Sequence, residues 1–338
     1  MRLAFAPWGE TVQEQVEAAA AGERAGFESL WTSELHRTAY VPAAAIAAAT
    51  GRAQVGTAVA LAFVRSPMVT ALTALDLDEL SGGRFVLGLG PGVRRLNEDW
   101  HGAEYGRPAP HLRETVAAVR LLVERAGRGE PIELEGEFER LRVRGWQRPF
   151  PAPRSAIPVY LAAVGPQMLR LAGEIGDGWI SHELCSPGYL RERALPLLEQ
   201  GLRRAGRSRE ALTVMASGVC CLGADRHGAC RRAAGLVAFY ATVRSYEEFF
   251  DFHGFLPQAR AIRERFLAGD EAGMVDACPD EMVSALALAG TADDVRGRLR
   301  EYEGLADVVK LSPPTHLVPV EVTRDAQAAI LELFEGGG

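Results

Sequence analysis

The sequence predicts an α/β protein, and within that class an eight-stranded (β/α)8 TIM barrel. Strand and helix patterns alternate over most of the 338 residues, which favours a parallel sheet whose strands are connected by helices. The strand at residues 85–89 is apolar without alternation, as expected for a strand that is covered on both faces. Eight strands can be counted, and the first is not followed by a dinucleotide-binding fingerprint, so a closed barrel is favoured over an open sheet.

The first half of the chain contains four strand and helix pairs. Short apolar runs identify the strands and a helical period identifies the helices. The strands are predicted at residues 2–6, 28–32, 54–62 and 85–89, and the helices at residues 11–25, 42–50, 66–81 and 112–126. Proline and glycine then interrupt the alternation, so residues 127–157 are predicted as an insertion after strand four that contains a small hairpin.

The alternation resumes in the second half of the chain. The strands are predicted at residues 158–163, 178–181, 212–222 and 307–311, and the helices at residues 166–175, 189–205, 292–302 and from residue 324. Residues 225–290 follow a helical pattern without a strand and are predicted as a helical insertion after strand seven. The whole chain, residues 1–338, is therefore predicted to be a single barrel domain.

The composition limits which kinds of binding partner and which cellular compartment are expected. The net charge is −7 and no basic block is present, which argues against nucleic-acid binding. No apolar run approaches the roughly 18 residues of a membrane span, and the N-terminus lacks the features of a secretion signal, so a cytoplasmic location away from membranes is expected. The five cysteines lack a paired CxxC spacing, so neither a metal site nor a disulfide framework is predicted.

Two segments at the carboxyl ends of strands are candidate ligand sites. Residues 81–92 form a turn, an apolar strand and a glycine-rich exit, where backbone can approach a ligand closely. The spacing is not GxGxxG, so dinucleotide binding is disfavoured. At residues 160–168 a strand ends and a helix begins at Pro166, whose neighbouring amides could face an anion or simply form an ordinary turn.

Titratable side chains also follow predicted strands. His36 and Glu34 come after strand two, and His182 and Glu183 come after strand six. Imidazole can relay protons near neutral pH, so His36 and His182 are predicted to be catalytic. Glu34, a carboxylate at the same end of the strands, is the third predicted catalytic residue. For each of them the alternative is a surface or hydrogen-bonding role. Lys310, the only lysine, is the one residue that could form a Schiff base.

Three separated motifs give the sequence a family resemblance. GFESLW at residues 26–31, SGGRFVLGLG at residues 81–90 and GDGWI at residues 176–180 resemble, in this order, the luciferase-like monooxygenase superfamily. The resemblance covers residues 1–222 and 291–311. It implies a barrel of the bacterial-luciferase type, the insertions after strands four and seven, and a homodimer.

Within that superfamily, residues 59–67 and 96–98 are most similar to the branch that uses the deazaflavin coenzyme F420. The resemblance implies that the coenzyme ring lies against a bulge in strand three, which often contains a cis peptide without proline. Glu34 falls where the family often has a carboxylate near the ring. The positions implied for cofactor binding are Ala58, Val59, Leu61, Pro91, Gly92, Asn97, Ala163, Val164, Gly165, Gln167 and Met168.

The sequence departs from relatives that oxidise sugar phosphates. Leu35 and Val93 stand where those relatives have a histidine and a glutamate, so the acid–base pair of those relatives is not carried over. His36 follows Leu35 directly and is one residue away from the position of that histidine. The expected function is hydride transfer between F420 and a small enone, imine, alcohol or carbonyl compound. The alternatives are an FMN-dependent monooxygenase that uses O2, a non-catalytic cofactor-binding barrel, and an aldolase based on Lys310.

Overall fold

Strands and helices alternate along residues 1–335, the part of the chain that the computed structural model describes; residues 336–338, the end of the predicted domain 1–338, lie outside it. The strands are β1 (Arg2–Phe5), β2 (Ser29–Thr32), β3 (Gln54–Thr57), β4 (Ala60–Leu61), β5 (Phe85–Gly90), β6 (Ile132–Glu135), β7 (Arg140–Val143), β8 (Val159–Ala162), β9 (Gly178–Ile180), β10 (Thr213–Leu222), β11 (Leu288–Gly290) and β12 (Val308–Ser312).

The helices follow the strands in the predicted order. They are α1 (Val12–Arg24), α2 (Tyr40–Ala49), α3 (Pro67–Leu80), α4 (Pro108–Arg125), α5 (Pro166–Ile175), α6 (Pro187–Tyr189), α7 (Leu195–Arg204), α8 (Arg226–Ala241), α9 (Glu247–Phe252), α10 (Leu256–Leu267), α11 (Glu271–Asp276), α12 (Asp280–Leu286), α13 (Ala292–Arg300) and α14 (Val320–Phe334). Among residues 1–335, no helix combines the length and the hydropathy that a membrane span requires.

The chain forms two compact units, which we call the first and the second unit. The first unit comprises residues 29–180 and 197–212. Its strands are parallel in the order β2, β3, β5, β8 and β9, and the short β4 pairs with β5 beyond the end of β3. Strands β6 and β7 form a separate antiparallel hairpin within residues 127–157. Strands β2 and β5 are buried along their whole length, consistent with helices on the outside of the sheet.

The second unit comprises residues 1–28, residues 181–196 and the chain from residue 213 onwards. Its parallel strands lie in the order β11, β10, β12 and β1. Strand β11 corrects the sequence analysis, which assigned residues 288–290 to the helical insertion. Three residues are too few to show a strand period, and β11 is specified by its pairing with the end of the long β10.

The predicted fold class is confirmed as a (β/α)8 barrel. The strands that correspond to the eight predicted ones are β1, β2, β3, β5, β8, β9, β10 and β12, and all their pairings are parallel. The predicted fourth helix begins earlier than expected, at Pro108, because proline fits the first turn of a helix. The predicted strand at residues 54–62 is divided into β3 and β4 by a bulge at residues 58–59.

Candidate functional site

The bulge between β3 and β4 is the most distinctive backbone feature of the first unit. A cis peptide joins Ala58 to Val59, and both residues are half-buried. The Ala58 N–H donates to the Thr32 carbonyl at 2.6 Å, and the Val59 carbonyl accepts from the Glu34 N–H at 3.1 Å. These two hydrogen bonds therefore fix the bulge to the carboxyl end of β2.

Glu34 fixes the same region through its side chain, which is only 5% exposed. Its Oε2 accepts from the Leu61 N–H at 2.8 Å and from Nη1 of Arg65 at 2.9 Å, and its Oε1 accepts from Nη2 of Arg65. The hydrogen bond to Glu34 raises the pKa of the Arg65 guanidinium. Both carboxylate oxygens are thus engaged, Oε2 by β4 and Arg65 and Oε1 by Arg65, and a direct catalytic role for Glu34 stays a prediction.

The glycine-rich exit of β5 lies directly against the bulge. A Cβ on Gly90 would come within 2.9 Å of Cγ2 of Val59 and 3.2 Å of Cβ of Ala162. Gly92 has a φ of +62°, and a Cβ there would come within 2.6 Å of Cδ2 of Leu61. Glycine is therefore required here by close packing, and the predicted cofactor residues of β4 and the β5 exit lie together.

Asn97 holds the loop after β5 from inside. Its side chain is fully buried, and Nδ2 donates to the carbonyls of Pro91 at 2.7 Å and Val93 at 3.0 Å. Its Oδ1 is also buried but has no hydrogen-bond partner among residues 1–335. Because an unsatisfied buried acceptor costs free energy, this oxygen is suited to receive a donor from a bound molecule.

The start of α5 has the geometry of an anion site. Gly165 precedes the helix with φ +78° and ψ 158°, a conformation that only glycine adopts readily, and Pro166 occupies the first turn. Within the described chain, no side chain caps this helix, so its first N–H groups, including those of Gln167 and Met168, lack intrahelical partners. A Cβ on Gly165 would meet no atom within 4 Å, so the space in front of the helix is open.

The remaining positions that were predicted for cofactor binding lie at this turn. Trp179 donates from Nε1 to the Ala163 carbonyl at 3.1 Å and so fixes the end of β8. Ala163 and Met168 are buried, whereas Val164 is half-buried. These residues therefore hold the turn in place from behind. His36, by contrast, is exposed in the segment after β2.

The second unit contains a separate cluster of titratable groups around Glu183. Lys310 on β12 is buried, and its Nζ donates to Oε1 of Glu183 and to Oγ of Ser312, each at 3.2 Å. The Tyr240 hydroxyl donates to Oε2 of Glu183 at 2.7 Å. Burial raises the pKa of Glu183, but the Lys310 ammonium and the hydrogen bonds outweigh it and hold the pKa at about 2. The carboxylate therefore stays ionised.

His182 lies next to this cluster, among aromatic rings. Its ring centroid is 4.5 Å from that of Tyr240 and 4.0 Å from that of Tyr246. Nδ1 accepts the Leu184 N–H at 3.2 Å, which places the imidazole proton on Nε2. Burial, with the nearby Lys310 ammonium, lowers the pKa of His182 to about 4. At neutral pH His182 is thus an uncharged hydrogen-bond donor through Nε2.

Three side-chain contacts of the candidate residues were not predicted from the sequence. Arg65 stands within the motif at residues 59–67, but its pairing with Glu34 depends on how the bulge folds. Lys310 was singled out as the only lysine, yet the buried carboxylate that it neutralises lies 127 positions away in the sequence. Tyr240 lies in the predicted helical insertion at residues 225–290, and its hydroxyl donates a hydrogen bond to Glu183.

Comparisons with known proteins agree with this geometry. Residues 4–307 match the model of the luciferase-like monooxygenase family. The chain is 31% identical over 320 residues to a putative coenzyme F420-dependent oxidoreductase of Mycobacterium tuberculosis, covering 88% of this chain and 89% of that protein. It is also 31% identical over 300 residues to the 5,10-methylenetetrahydromethanopterin reductase of Archaeoglobus fulgidus, covering 86% and 87%.

A solved structure has the same fold. The coenzyme F420-dependent tetrahydromethanopterin reductase of Methanopyrus kandleri superposes with a TM-score of 0.82. The superposition covers 99% of this chain and 97% of that protein, at 24% sequence identity.

Proposed function

Because the chain belongs to the luciferase-like monooxygenase family, we propose that it is an F420-dependent oxidoreductase that transfers a hydride between the deazaflavin and a small organic substrate. The observation that carries the proposal is the arrangement within the first unit. A fixed bulge at residues 58–59, a buried acceptor on Asn97 and an uncapped helix α5 lie at the carboxyl ends of neighbouring strands. A relative named as a putative coenzyme F420-dependent oxidoreductase supports it at 31% identity.

The residues at this edge of the sheet fit a deazaflavin. Ala58, Val59 and Leu61 offer a backbone surface for the ring, and Oδ1 of Asn97 can accept a hydrogen bond from it. The open space before Gly165 and the free amides at the start of α5 suit its phosphate. The bound coenzyme supplies the hydride donor or acceptor, and the chain supplies position and charge.

Proton movement needs a group of this chain. Within the second unit, His182 presents a neutral Nε2–H that can donate a hydrogen bond, and it is kept as a candidate on that ground alone. The exposed His36 is the second candidate, whereas Glu34 acts by holding the bulge. We propose an enone, imine, alcohol or carbonyl compound as the substrate class. The homodimer and the cytoplasmic location stay predictions.

The first test is a fluorescence titration of the protein with oxidised F420 and, separately, with FMN. Saturable binding of F420 with much weaker binding of FMN is the expected result. The opposite preference would overturn the proposal in favour of a flavin monooxygenase, which oxygen uptake would then confirm. Binding of F420 without hydride exchange across a broad panel of acceptors would favour a non-catalytic barrel.

Two glycines provide a matched pair of variants for this titration. Gly165 and Gly206 both have positive φ, +78° and +64°, and a Cβ on either meets no atom within 4 Å. Alanine strains the backbone at both positions because φ is positive, but only Gly165 precedes α5. We expect Gly165→Ala to weaken F420 binding by about tenfold, since it displaces the anion-binding amides, and Gly206→Ala to leave binding unchanged.

A further inference from the structure

A cleft on the first unit runs beside α5 and shares only Gln167 with the site described above. It has a volume of about 280 Å³ and lies among residues of α4, α5 and α7. Its charged lining residues are Arg113 on α4, Arg170 and Glu174 on α5, and Arg204 on α7. Three guanidinium groups thus line the cleft with one carboxylate, so it carries an excess of positive charge.

The contacts of these arginines leave that excess unneutralised. Arg113 forms an ion pair with Glu174, and Arg204 lies 3.5 Å from the other oxygen of the same carboxylate. Arg170 donates to neutral partners, to Oε1 of Gln200 at 2.9 Å and to the Pro166 carbonyl at 3.3 Å. The side chains of Arg113 and Arg204 are 48% and 61% exposed, so both can reach an incoming anion.

The cleft begins where the proposed phosphate position ends. Gln167 belongs to the first turn of α5, whose amides face the open space before Gly165, and it also lines the cleft. From there the lining residues follow one face of α5 to Glu174, a run of about 10 Å at 1.5 Å per residue. A molecule bound at the start of α5 could therefore continue along the cleft as an extended chain.

We infer that the cleft binds the carboxylate-bearing oligoglutamyl tail that extends from the phosphate of the deazaflavin coenzyme. This inference rests on the proposed function. Guanidinium groups match carboxylates in geometry as well as in charge, and a row of them along an open cleft suits a flexible chain with repeated carboxylates. A single compact anion would instead need an enclosed site. Glu174 competes with the tail for Arg113 and Arg204.

The experiment compares two forms of the coenzyme that differ only in the tail. One carries several glutamates, and the other ends at the phospholactyl group, so both retain the ring and the phosphate. We expect the wild-type protein to bind the tailed form about tenfold more tightly, since each exposed ion pair contributes about two- to fivefold. This advantage should decrease as the salt concentration rises.

Neighbouring arginines on α7 provide the matched control. Arg204→Gln should lower the affinity for the tailed form by about two- to fivefold and leave the tail-less form unaffected. Arg203→Gln removes the same charge one position away, where the side chain pairs with Glu199 outside the cleft, and should change neither affinity. Glu174→Gln should raise the affinity for the tailed form, because it frees Arg113 and Arg204.

The outcomes separate the two proposals. If both coenzyme forms bind the wild-type protein equally, the tail site is wrong and the proposed function stands. Equal effects of Arg203→Gln and Arg204→Gln would also overturn the tail site, since they would show only a general charge effect. If neither form binds, the proposed function fails, and the tail site fails with it.

Discussion

Two buried carboxylates in this chain have similar positions and different partners. Glu34 follows the end of β2 and Glu183 follows the end of β9, and their side chains are 5% and 18% exposed. Each has both oxygens engaged. Glu34 binds the guanidinium of Arg65 and a backbone amide, whereas Glu183 binds the ammonium of Lys310 and the Tyr240 hydroxyl.

The difference in partners separates a backbone clamp from a network of titratable groups. Arginine stays charged at any ordinary pH and grips a carboxylate with two N–H groups, so Arg65 and Glu34 fix the bulge permanently. Lys310 and Tyr240 instead donate hydrogen bonds to Glu183, and the ring of His182 lies 4.5 Å from that of Tyr240. A glutamate directly after a strand therefore does not by itself indicate proton transfer; the partner decides what it does.

The largest expected effect comes from breaking the network at its only cation. Lys310→Met leaves Glu183 buried without a counter-charge, and we expect the free energy of unfolding to fall by about 3–5 kcal/mol. Urea denaturation at neutral pH measures it. Adding Glu183→Gln to Lys310→Met should recover part of the loss, because the uncompensated charge is then removed. A loss below about 1 kcal/mol in the single variant would show that the pair is not held as described.

A smaller effect is expected at the clamp. Glu34→Gln keeps the size of the side chain but loses the ion pair with Arg65, and we expect it to cost about 1.5–3 kcal/mol. F420 binding should weaken as well, because the glutamine NH2 replaces one of the two accepting oxygens and must face either Arg65 or the Leu61 N–H. The matched control is Glu98→Gln, which breaks the exposed pair with Arg94 and should cost less than about 0.5 kcal/mol. Equal costs at the two positions would contradict the clamp.

Sequence patterns predicted the elements whose signal is local. The strand and helix alternation is confirmed, and so is the turn at residues 163–168, because Gly165 and Pro166 specify it by their own backbone preferences. Strand β11 was missed because three residues carry no period of their own and are specified by pairing with β10. The break in the predicted strand at residues 54–62 likewise depends on contacts with β2 and β5.

The positions of the candidate residues at strand ends could be predicted from the sequence, but their hydrogen-bond partners could not. In (β/α)8 barrels the functional residues lie at the carboxyl ends of the strands, which predicts Glu34 and His182 as candidates. In the structure Glu34 follows β2 and His182 follows β9. No spacing rule could pair Glu183 with Lys310, since these residues are brought together only by the order of the strands. The protonation state of His182 could not be predicted from the sequence either, because burial lowers its pKa and the Leu184 N–H places its proton on Nε2.

The smallest effect at neutral pH, and the sharpest in acid, is expected for His182→Gln. The pKa of His182 falls from 6.5 to about 4 on folding, so between these pH values the imidazole binds a proton in the unfolded chain but not in the folded protein. Stability should therefore decrease as the pH falls from about 6.5 to about 4 in the wild-type protein. The variant lacks this proton uptake and should show a flatter profile over the same interval.

Urea midpoints measured between pH 7.5 and pH 4 would test this prediction, with His101→Gln, at an exposed position, as the control. The control should retain the wild-type slope. Glu183 has a pKa lowered from 4.5 to about 2, so its contribution is lost only below about pH 4.5 and is common to all three proteins. If His182→Gln keeps the full slope above pH 4.5, burial does not lower the pKa of His182, and the imidazole is protonated in the folded state below about pH 6.5.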